Sequence, residues 1–331
     1  MRKEHSKNLP NLSKRDEFKP MSTLYLTHPA FKNHDTGPGH PERPDRMRAI
    51  DAVMAHEVFN DLVREEAPQS DYEVLKLVHP SGYIEGIREA APERGLIYLD
   101  GDTVMSPGSL EAGLRAVGAG LRAVDAVMTG EARNAFCAVR PCGHHAEPSR
   151  AMGFCFFANV AIAGKYARDK HGAERIAVVD FDVHHGNGTQ AAYWDDKDLF
   201  FASTHQMPLY PGTGALNETG VAGNIVNAPL RAGDGGEKFK QAFQERILPE
   251  LRNFRPDILL ISAGFDAHRN DPLASLELVE EDFGWATAKL LEIAEETAGG
   301  RVVSVLEGGY DLRGLAGSVA AHVKRLMEAS R

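Results

Sequence analysis

The feature that most constrains the fold of this chain is a series of short apolar runs separated by stretches of helical periodicity. A first strand is expected at residues 22–27, and later strands at 135–139, 176–181, 199–204, 258–262 and 302–306. Helices are expected between them at residues 45–56, 110–128, 159–170, 238–252, 280–296 and 314–327. Strands that are apolar almost throughout are typical of a parallel sheet covered by helices on both faces. The sequence therefore predicts a layered α/β fold, with ligands bound at the carboxyl ends of the strands.

No Ser- or Pro-rich linker and no change in composition divides the chain beyond residue 20. We therefore expect residues 21–331 to form one domain, although 331 residues would be long enough for two. Residues 1–20 are polar and basic, and they are interpreted as a flexible N-terminal tail. They lack the apolar stretch of a secretory signal, and no apolar run approaches the ~18 residues that a membrane span needs.

The net charge and the cysteine content indicate which binding partners and which cellular compartment to expect. The 37 basic and 47 acidic residues give a net charge of −10 with histidine neutral. Such a chain is a poor ligand for nucleic acid or anionic lipid and attracts cationic partners, so neither nucleic acid nor membrane is expected as a partner. The 3 cysteines form no CxxC pair, which is typical of a reducing compartment, and a cytoplasmic location is expected.

Polar residues suited to catalysis follow the ends of four predicted strands. The run at 135–139 is followed by RPCGHHAE, with His144 and His145, and the run at 176–179 is followed by DFDVHHGNG. The run at 258–262 leads into AGFDAH, with Asp266, and the run at 302–306 leads into EGGYD, with Tyr310. One such cluster arises easily by chance, but four at strand ends indicate an active site.

The DFDVHHGNG segment supplies the pattern of a catalytic metal site. Asp182 and His184 are two residues apart, so in an extended segment their side chains project to the same side. Asp266 could reach the same point from a neighbouring strand. Two carboxylates and one imidazole neutralise a divalent ion and leave at least one position for water and substrate. Asp180 is expected to accept a hydrogen bond from a histidine ring behind the metal ligands.

His144, His145 and Tyr310 supply the remaining groups that hydrolysis requires. Metal-assisted hydrolysis needs one group that takes a proton from water and another that protonates the leaving group, and a histidine pair can do both. Tyr310 follows Gly308 and Gly309 and offers a hydroxyl group to the oxyanion that forms when water attacks a carbonyl.

These motifs, together with GHPERPDR near the start, resemble the signatures of the zinc-dependent histone deacetylase family. That family includes acetylpolyamine amidohydrolases and bacterial histone deacetylase-like amidohydrolases of the class II type. The similarity runs from about Thr23 to the C-terminal helix. It implies the arginase/deacetylase fold, which is a single three-layer α/β domain around a mainly parallel sheet. It also implies a tunnel of acetyl-lysine size that leads to zinc.

The resemblance assigns roles to individual residues. Asp182, His184 and Asp266 match the zinc ligands, His145 the general base, and Tyr310 the transition-state tyrosine. His144 matches the adjacent electrostatic or acid position, backed by Asp180. The implied substrate-binding residues are Gly153, Phe154, Tyr210, Leu273, Asp102 and Gly308. A structural potassium ion is implied at Asp180, Asp182, His184, Ser203 and Thr204.

Two positions depart from the usual pattern or distinguish branches of the family. Tyr210 stands where phenylalanine is usual, which keeps a stacking ring and adds a polar edge. Asn187 stands where one branch has an aspartate behind the base histidine, so we expect His145 to be less basic than a carboxylate partner would make it.

The resulting prediction is a zinc-dependent deacetylase that removes acetyl or short acyl groups from acetyl-lysine and releases acetate. Acetylpolyamine deacetylation and a catalytically silent acetyl-ligand binder are the alternatives. A binuclear manganese ureohydrolase of the arginase type shares the fold but would need further bridging carboxylates. The sequence does not fix the oligomeric state, and a homo-oligomer is one possibility, in which loops packed between subunits could shape the tunnel mouth. Glu280, Glu281 and Asp282 lie either near the rim or in the first turn of a helix, where acidic side chains are favoured.

Overall fold

The fold is given by a computed structural model that describes residues 22–331, so the predicted tail lies outside the described residues. The strands are β1 (Thr23–Thr27), β2 (Val63–Glu66), β3 (Ile97–Tyr98), β4 (Val104–Met105), β5 (Asn134–Cys137), β6 (Ile176–Asp180), β7 (Leu199–Gln206), β8 (Ile225–Leu230), β9 (Ile258–Ala263) and β10 (Val302–Leu306). Eight of them form one sheet in the order β2-β1-β5-β10-β9-β6-β7-β8, and every neighbouring pair in it is parallel. Strands β3 and β4 form a separate antiparallel pair.

Helices cover both faces of the large sheet. They are α1 (Asp45–Met54), α2 (Tyr72–Leu75), α3 (Ser81–Ala90), α4 (Ser109–Thr129), α5 (Asn159–His171), α6 (Asn187–Tyr193), α7 (Gly236–Ala242), α8 (Leu248–Phe254), α9 (Glu280–Thr297) and α10 (Leu312–Ala329). Helix α10 packs against α1 and α9 in one layer, and α4 packs against α5 in another. Strands β6, β9 and β10 between these layers are buried along their whole length. The predicted three-layer α/β fold is therefore confirmed.

The main strands and helices lie within a few residues of their predicted positions, whereas the edge strands β2 and β8 were not predicted. β2 reads VREE and is largely exposed, so it lacks the apolar signal. β8 contains Pro229, which argues against an interior strand but is tolerated at a sheet edge. The helix predicted at 238–252 is divided by a π-helical segment (Phe243–Ile247) between α7 and α8. Helices α2 and α3 and the β3–β4 pair are short elements that the periodicity did not predict.

The acidic run at 280–282 forms the first turn of α9, so the helix-start interpretation was the right one. Asp282 accepts a hydrogen bond from the Val279 backbone N–H and pairs with Lys240 at 2.9 Å. No helix among residues 22–331 is long and apolar enough to cross a membrane.

Candidate active site

The four polar clusters meet because the strands that precede them are neighbours. β5, β10, β9 and β6 stand side by side in the centre of the sheet and all run in the same direction. Their carboxyl ends therefore deliver His144, Tyr310, Asp266 and Asp182 to one edge, as expected for a parallel sheet.

Asp182, His184 and Asp266 form a compact buried group. One potential ligand atom from each lies within 4.8 Å of the others. Nδ1 of His184 is 3.2 Å from Asp182 Oδ1 and 3.0 Å from Asp266 Oδ2. Among residues 22–331, neither carboxylate forms an ion pair with a lysine or arginine. Two buried carboxylates and one imidazole without a lysine or arginine partner are a donor set that fits a divalent metal ion.

The backbone around the two carboxylates orients them. Val183 N–H donates to Asp266 Oδ1 at 2.8 Å, and Gly308 N–H donates to Asp182 Oδ2 at 2.8 Å. A Cβ atom on Gly264 would overlap Asp182, and one on Gly308 would overlap Asp266. Glycine at these two positions therefore lets the chain approach the carboxylates closely.

The histidine pair is held from behind by two different partners. Nδ1 of His144 donates to Asp180 Oδ2 at 2.9 Å. Nδ1 of His145 lies 2.8 Å from Asn187 Oδ1, and Asn187 donates its amide N–H to Glu147 at 2.8 Å. Since Glu147 takes the amide N–H, the amide oxygen faces His145 and Nδ1 carries the proton. Nε2 of His145 is then free to act as a base.

The two histidines differ in basicity. Burial opposes protonation of both, but the Asp182 and Asp180 carboxylates raise the pKa of His144 well above its usual value. Burial and the nearby His144 and His184 rings lower the pKa of His145 well below its usual value. His144 is thus suited to carry positive charge and His145 to accept a proton.

Tyr310 completes the group. Its backbone N–H donates to Asp271 Oδ2 at 2.7 Å, and its ring lies edge-on to Phe154 with a centroid separation of 5.8 Å. Burial and the field of Cys142 raise the pKa of Tyr310 well above its usual value, so the phenol stays protonated and can donate a hydrogen bond.

His184, His145 and Tyr310 line one cavity of about 240 Å³. Five of the six predicted substrate residues also line it, and Leu209 is an additional wall residue. The five are Asp102, Gly153, Phe154, Tyr210 and Leu273. The sixth, Gly308, does not line the cavity, because it lies behind Asp182 and hydrogen-bonds to it. The Tyr210 ring packs edge-on against His145 at 5.1 Å and is 38% exposed at the mouth.

The loop that carries Tyr210 is fixed by two neutral histidines. His185 donates from Nε2 to Gln190 at 3.0 Å and contacts the Thr213 hydroxyl at 2.7 Å through Nδ1. His205 donates from Nε2 to the Gly214 carbonyl at 2.9 Å. Burial lowers the pKa of His185 to about 3 and that of His205 to about 4. His185 therefore links the metal-site segment to the cavity wall, a role that the sequence did not suggest.

The residues predicted for potassium also come together. Ser203 on β7 stands opposite Asp180 on β6, and Asp182 and His184 follow Asp180 in the loop. The buried Thr204 hydroxyl has no hydrogen-bond partner in the described part of the chain. An unpartnered buried oxygen next to these residues is compatible with a cation ligand.

A buried ionic cluster behind Tyr310 was not assigned any role from the sequence, although two of its members, Glu42 and Arg46, lie in GHPERPDR. Arg46 donates from Nε to the Gly309 carbonyl at 2.7 Å, and its guanidinium carbon lies 5.0 Å from the centre of the Tyr310 ring. Glu42 accepts from Arg46 at 3.0 Å and from both Nε and Nη2 of Arg140. The motif itself was the signal in the sequence, because the contact from Arg46 to Gly309 spans 263 positions and those from Arg140 to Glu42 span 98.

A parallel α/β sheet with a buried Asp-His-Asp group and paired histidines at one edge, next to a cavity lined by His184, His145 and Tyr310, defines a candidate metal-dependent hydrolase. Residues 40–326 match the family model of the histone deacetylase domain. The chain therefore belongs to the histone deacetylase family, which confirms the resemblance seen in the sequence.

Named relatives cover most of the chain. It is 40% identical over 317 residues to "Histone deacetylase 10, chloroplastic" of Oryza sativa subsp. japonica, covering 90% of this chain and 71% of the relative. It is 42% identical over 278 residues to the "Histone deacetylase-like amidohydrolase" of Pseudomonas aeruginosa, covering 82% and 73%. The crystal structure of the HDA15 HD domain matches with a TM-score of 0.88 at 34% identity, covering 93% of this chain and 88% of that one.

Proposed function

We propose that this protein is a zinc-dependent amidohydrolase that removes acetyl or short acyl groups from the side-chain amine of acetyl-lysine and releases acetate. One observation carries this assignment: a buried metal-type group, a histidine base and a tyrosine hydroxyl converge on one cavity of about 240 Å³ walled by Phe154 and Tyr210. The aromatic walls suit the apolar part of a lysine side chain.

Different residues of the chain would carry out the separate steps of the hydrolysis. Asp182, His184 and Asp266 would hold the zinc ion, which supplies Lewis acidity that polarises the acyl carbonyl and makes a nearby water more acidic. His145, oriented by Asn187, accepts the proton of the attacking water. Tyr310 donates to the carbonyl oxygen as negative charge develops on it.

Departure of the amine requires a proton and a favourable field. His144, held by Asp180, lies beside His145 with a ring-centroid separation of 4.0 Å, and it supplies positive charge or the proton at this stage. Protonation of the amine then releases acetate and the free lysine. A structural potassium ion would be held by Asp180, Asp182, His184, Ser203 and Thr204, where the unpartnered Thr204 hydroxyl supports a cation.

Acetylated polyamines are the second candidate substrate class, and Asp102 favours them. This carboxylate lines the cavity, and Asp100 lies beside it, so the mouth carries negative charge that suits a cationic carrier. The same charge would also suit lysine-rich peptides. The substrates are separated by comparing kcat/KM for an acetyl-lysine peptide, N-acetylputrescine and longer-chain acyl-lysines in the wild type and in Asp102→Asn.

The comparison has three decisive outcomes. Higher kcat/KM for the peptide, abolished by chelator, supports the proposed function. A polyamine preference of about a hundredfold, worth about 2.7 kcal/mol of transition-state binding, would overturn the lysine assignment. No turnover of any acylated amine by the zinc-loaded protein would refute the amidohydrolase assignment.

A further inference from the structure

Glu307 is a buried carboxylate that takes no direct part in the proposed proton transfers. It is 0% exposed and directly follows β10. Among residues 22–331, no lysine, arginine or histidine nitrogen lies within ion-pair distance of it. Burial raises the pKa of Glu307 to about 7. Burying a carboxyl group without an ion pair lowers the stability of the fold unless hydrogen bonds compensate for the lost hydration.

The carboxylate of Glu307 bonds to the segment that bears the histidine pair. Oε2 accepts from the backbone N–H of Gly143 at 2.7 Å and of His144 at 3.1 Å. Oε1 accepts from the Ser262 hydroxyl at 3.2 Å. One side chain thus satisfies two neighbouring backbone donors immediately before His145.

The backbone of Glu307 belongs to the segment that bears Tyr310. Its N–H donates to the Ala263 carbonyl at 3.0 Å, and its carbonyl accepts from Arg46. Tyr310 follows three positions later, after Gly308, whose N–H is fixed by Asp182. Glu307 is therefore a direct link between the loop after β5 and the loop after β10.

We propose that Glu307 is a positioning residue, which holds the Gly143–His145 backbone at a fixed place relative to Tyr310. The hydroxyl of Tyr310 and Nε2 of His145 must act on the same acyl group, and they come from different strands. Glu307 belongs to the loop after β10, and its side chain hydrogen-bonds to the loop after β5. It therefore fixes the separation of these two loops. The catalytic part of this inference rests on the proposed function, whereas the structural part does not.

Amide hydrogen exchange tests the structural part without any substrate. In Glu307→Met, which keeps the bulk but removes the acceptors, the Gly143 and His144 amides should exchange at least tenfold faster than in the wild type. The Gly308 amide should be unchanged, since Asp182 still holds it. Glu307→Gln keeps an acceptor for both amides, and its exchange should match that of the wild type. Unchanged exchange at Gly143 and His144 in Glu307→Met would overturn the proposal.

Kinetics on the zinc-loaded full chain test the catalytic part. Glu307→Met should lower kcat by roughly 10- to 100-fold, as is usual for groups that orient catalytic residues, with KM within about twofold. Glu307→Gln should keep at least a third of the wild-type kcat. Ser262→Ala, which removes only the Oε1 contact, is the matched control and should stay within twofold. Thermal unfolding of each variant shows how much protein is folded.

A double-mutant cycle with Tyr310→Phe separates positioning from general structural damage. If Glu307 sets the distance between the two loops, Glu307→Met should lower kcat less in the Tyr310→Phe background than in the wild type. Fully multiplicative losses, or a loss in Glu307→Gln as large as in Glu307→Met, would overturn the proposal. Absence of wild-type turnover would refute the proposed function alone, because the exchange result decides the structural link independently.

Discussion

Asn187 places its amide oxygen 2.8 Å from Nδ1 of His145, and this contact orients the proposed base. A neutral amide orients the ring without stabilising its protonated form as a carboxylate would. Because burial also lowers the pKa of His145, the base stays unprotonated at neutral pH.

Replacing this amide with a carboxylate should shift the pH profile. In Asn187→Asp, the added negative charge raises the pKa of His145, so the acidic limb of kcat/KM should move to higher pH by about one unit. The new carboxylate would also face Glu147, so the double variant with Glu147→Gln serves as the control that removes this repulsion. An acidic limb that stays in place or moves to lower pH in both variants would contradict the role of His145 as the base.

Removing the Tyr310 hydroxyl should slow the chemical step with little effect on binding. Tyr310→Phe loses one donor to the developing oxyanion, which typically lowers kcat by roughly 10²- to 10³-fold. Metal content and KM should be nearly unchanged, because the ring and its packing on Phe154 remain. Tyr210→Phe is the matched control: it removes a hydroxyl from the same cavity and should change kcat by less than about threefold. Similar losses in both variants would argue against a specific role for Tyr310.

The loop that carries Tyr210 gives a test of how the cavity wall is held. Gly212 and Gly214 both have positive φ angles, of +88° and +91°, so alanine at either position costs about 1–2 kcal/mol of backbone strain. A Cβ atom on Gly214 would overlap His205 and lie 2.7 Å from the His185 ring, whereas one on Gly212 meets nothing within 4 Å. We expect Gly214→Ala to lower kcat/KM by roughly 10- to 100-fold through displacement of the wall. Gly212→Ala should have a much smaller effect, and equal effects would mean that backbone strain alone matters.

The sequence predicted the parts of this site that depend on the pattern near strand ends. The four polar clusters meet because β5, β10, β9 and β6 are parallel neighbours, so their carboxyl ends share one edge of the sheet. Strand order itself was not predictable from periodicity, since it depends on contacts between distant segments.

The missed features depend on such distant contacts. Arg46 bonds to Gly309, and Glu307 bonds to Gly143, across 263 and 164 positions of the chain, and no local pattern reports either pair. His185 bonds to Thr213, which lies 28 positions later on another loop, so its role in holding the cavity wall has no local signal either. β8 was not predicted because it contains Pro229, and proline within an apolar run argues against a strand. The domain boundary at residue 21 stays a prediction.

The most direct test of the central claim is the metal content of the protein measured together with its turnover of an acetyl-lysine peptide. Chelator-treated protein should be inactive, and titration with zinc should restore full turnover at one ion per chain. Asp266→Asn, which removes one ligand charge and keeps the side-chain shape, should lose most of both zinc and turnover. Full turnover by metal-free protein, or a requirement for two ions per chain, would contradict the assignment of Asp182, His184 and Asp266 as the single hydrolytic metal site.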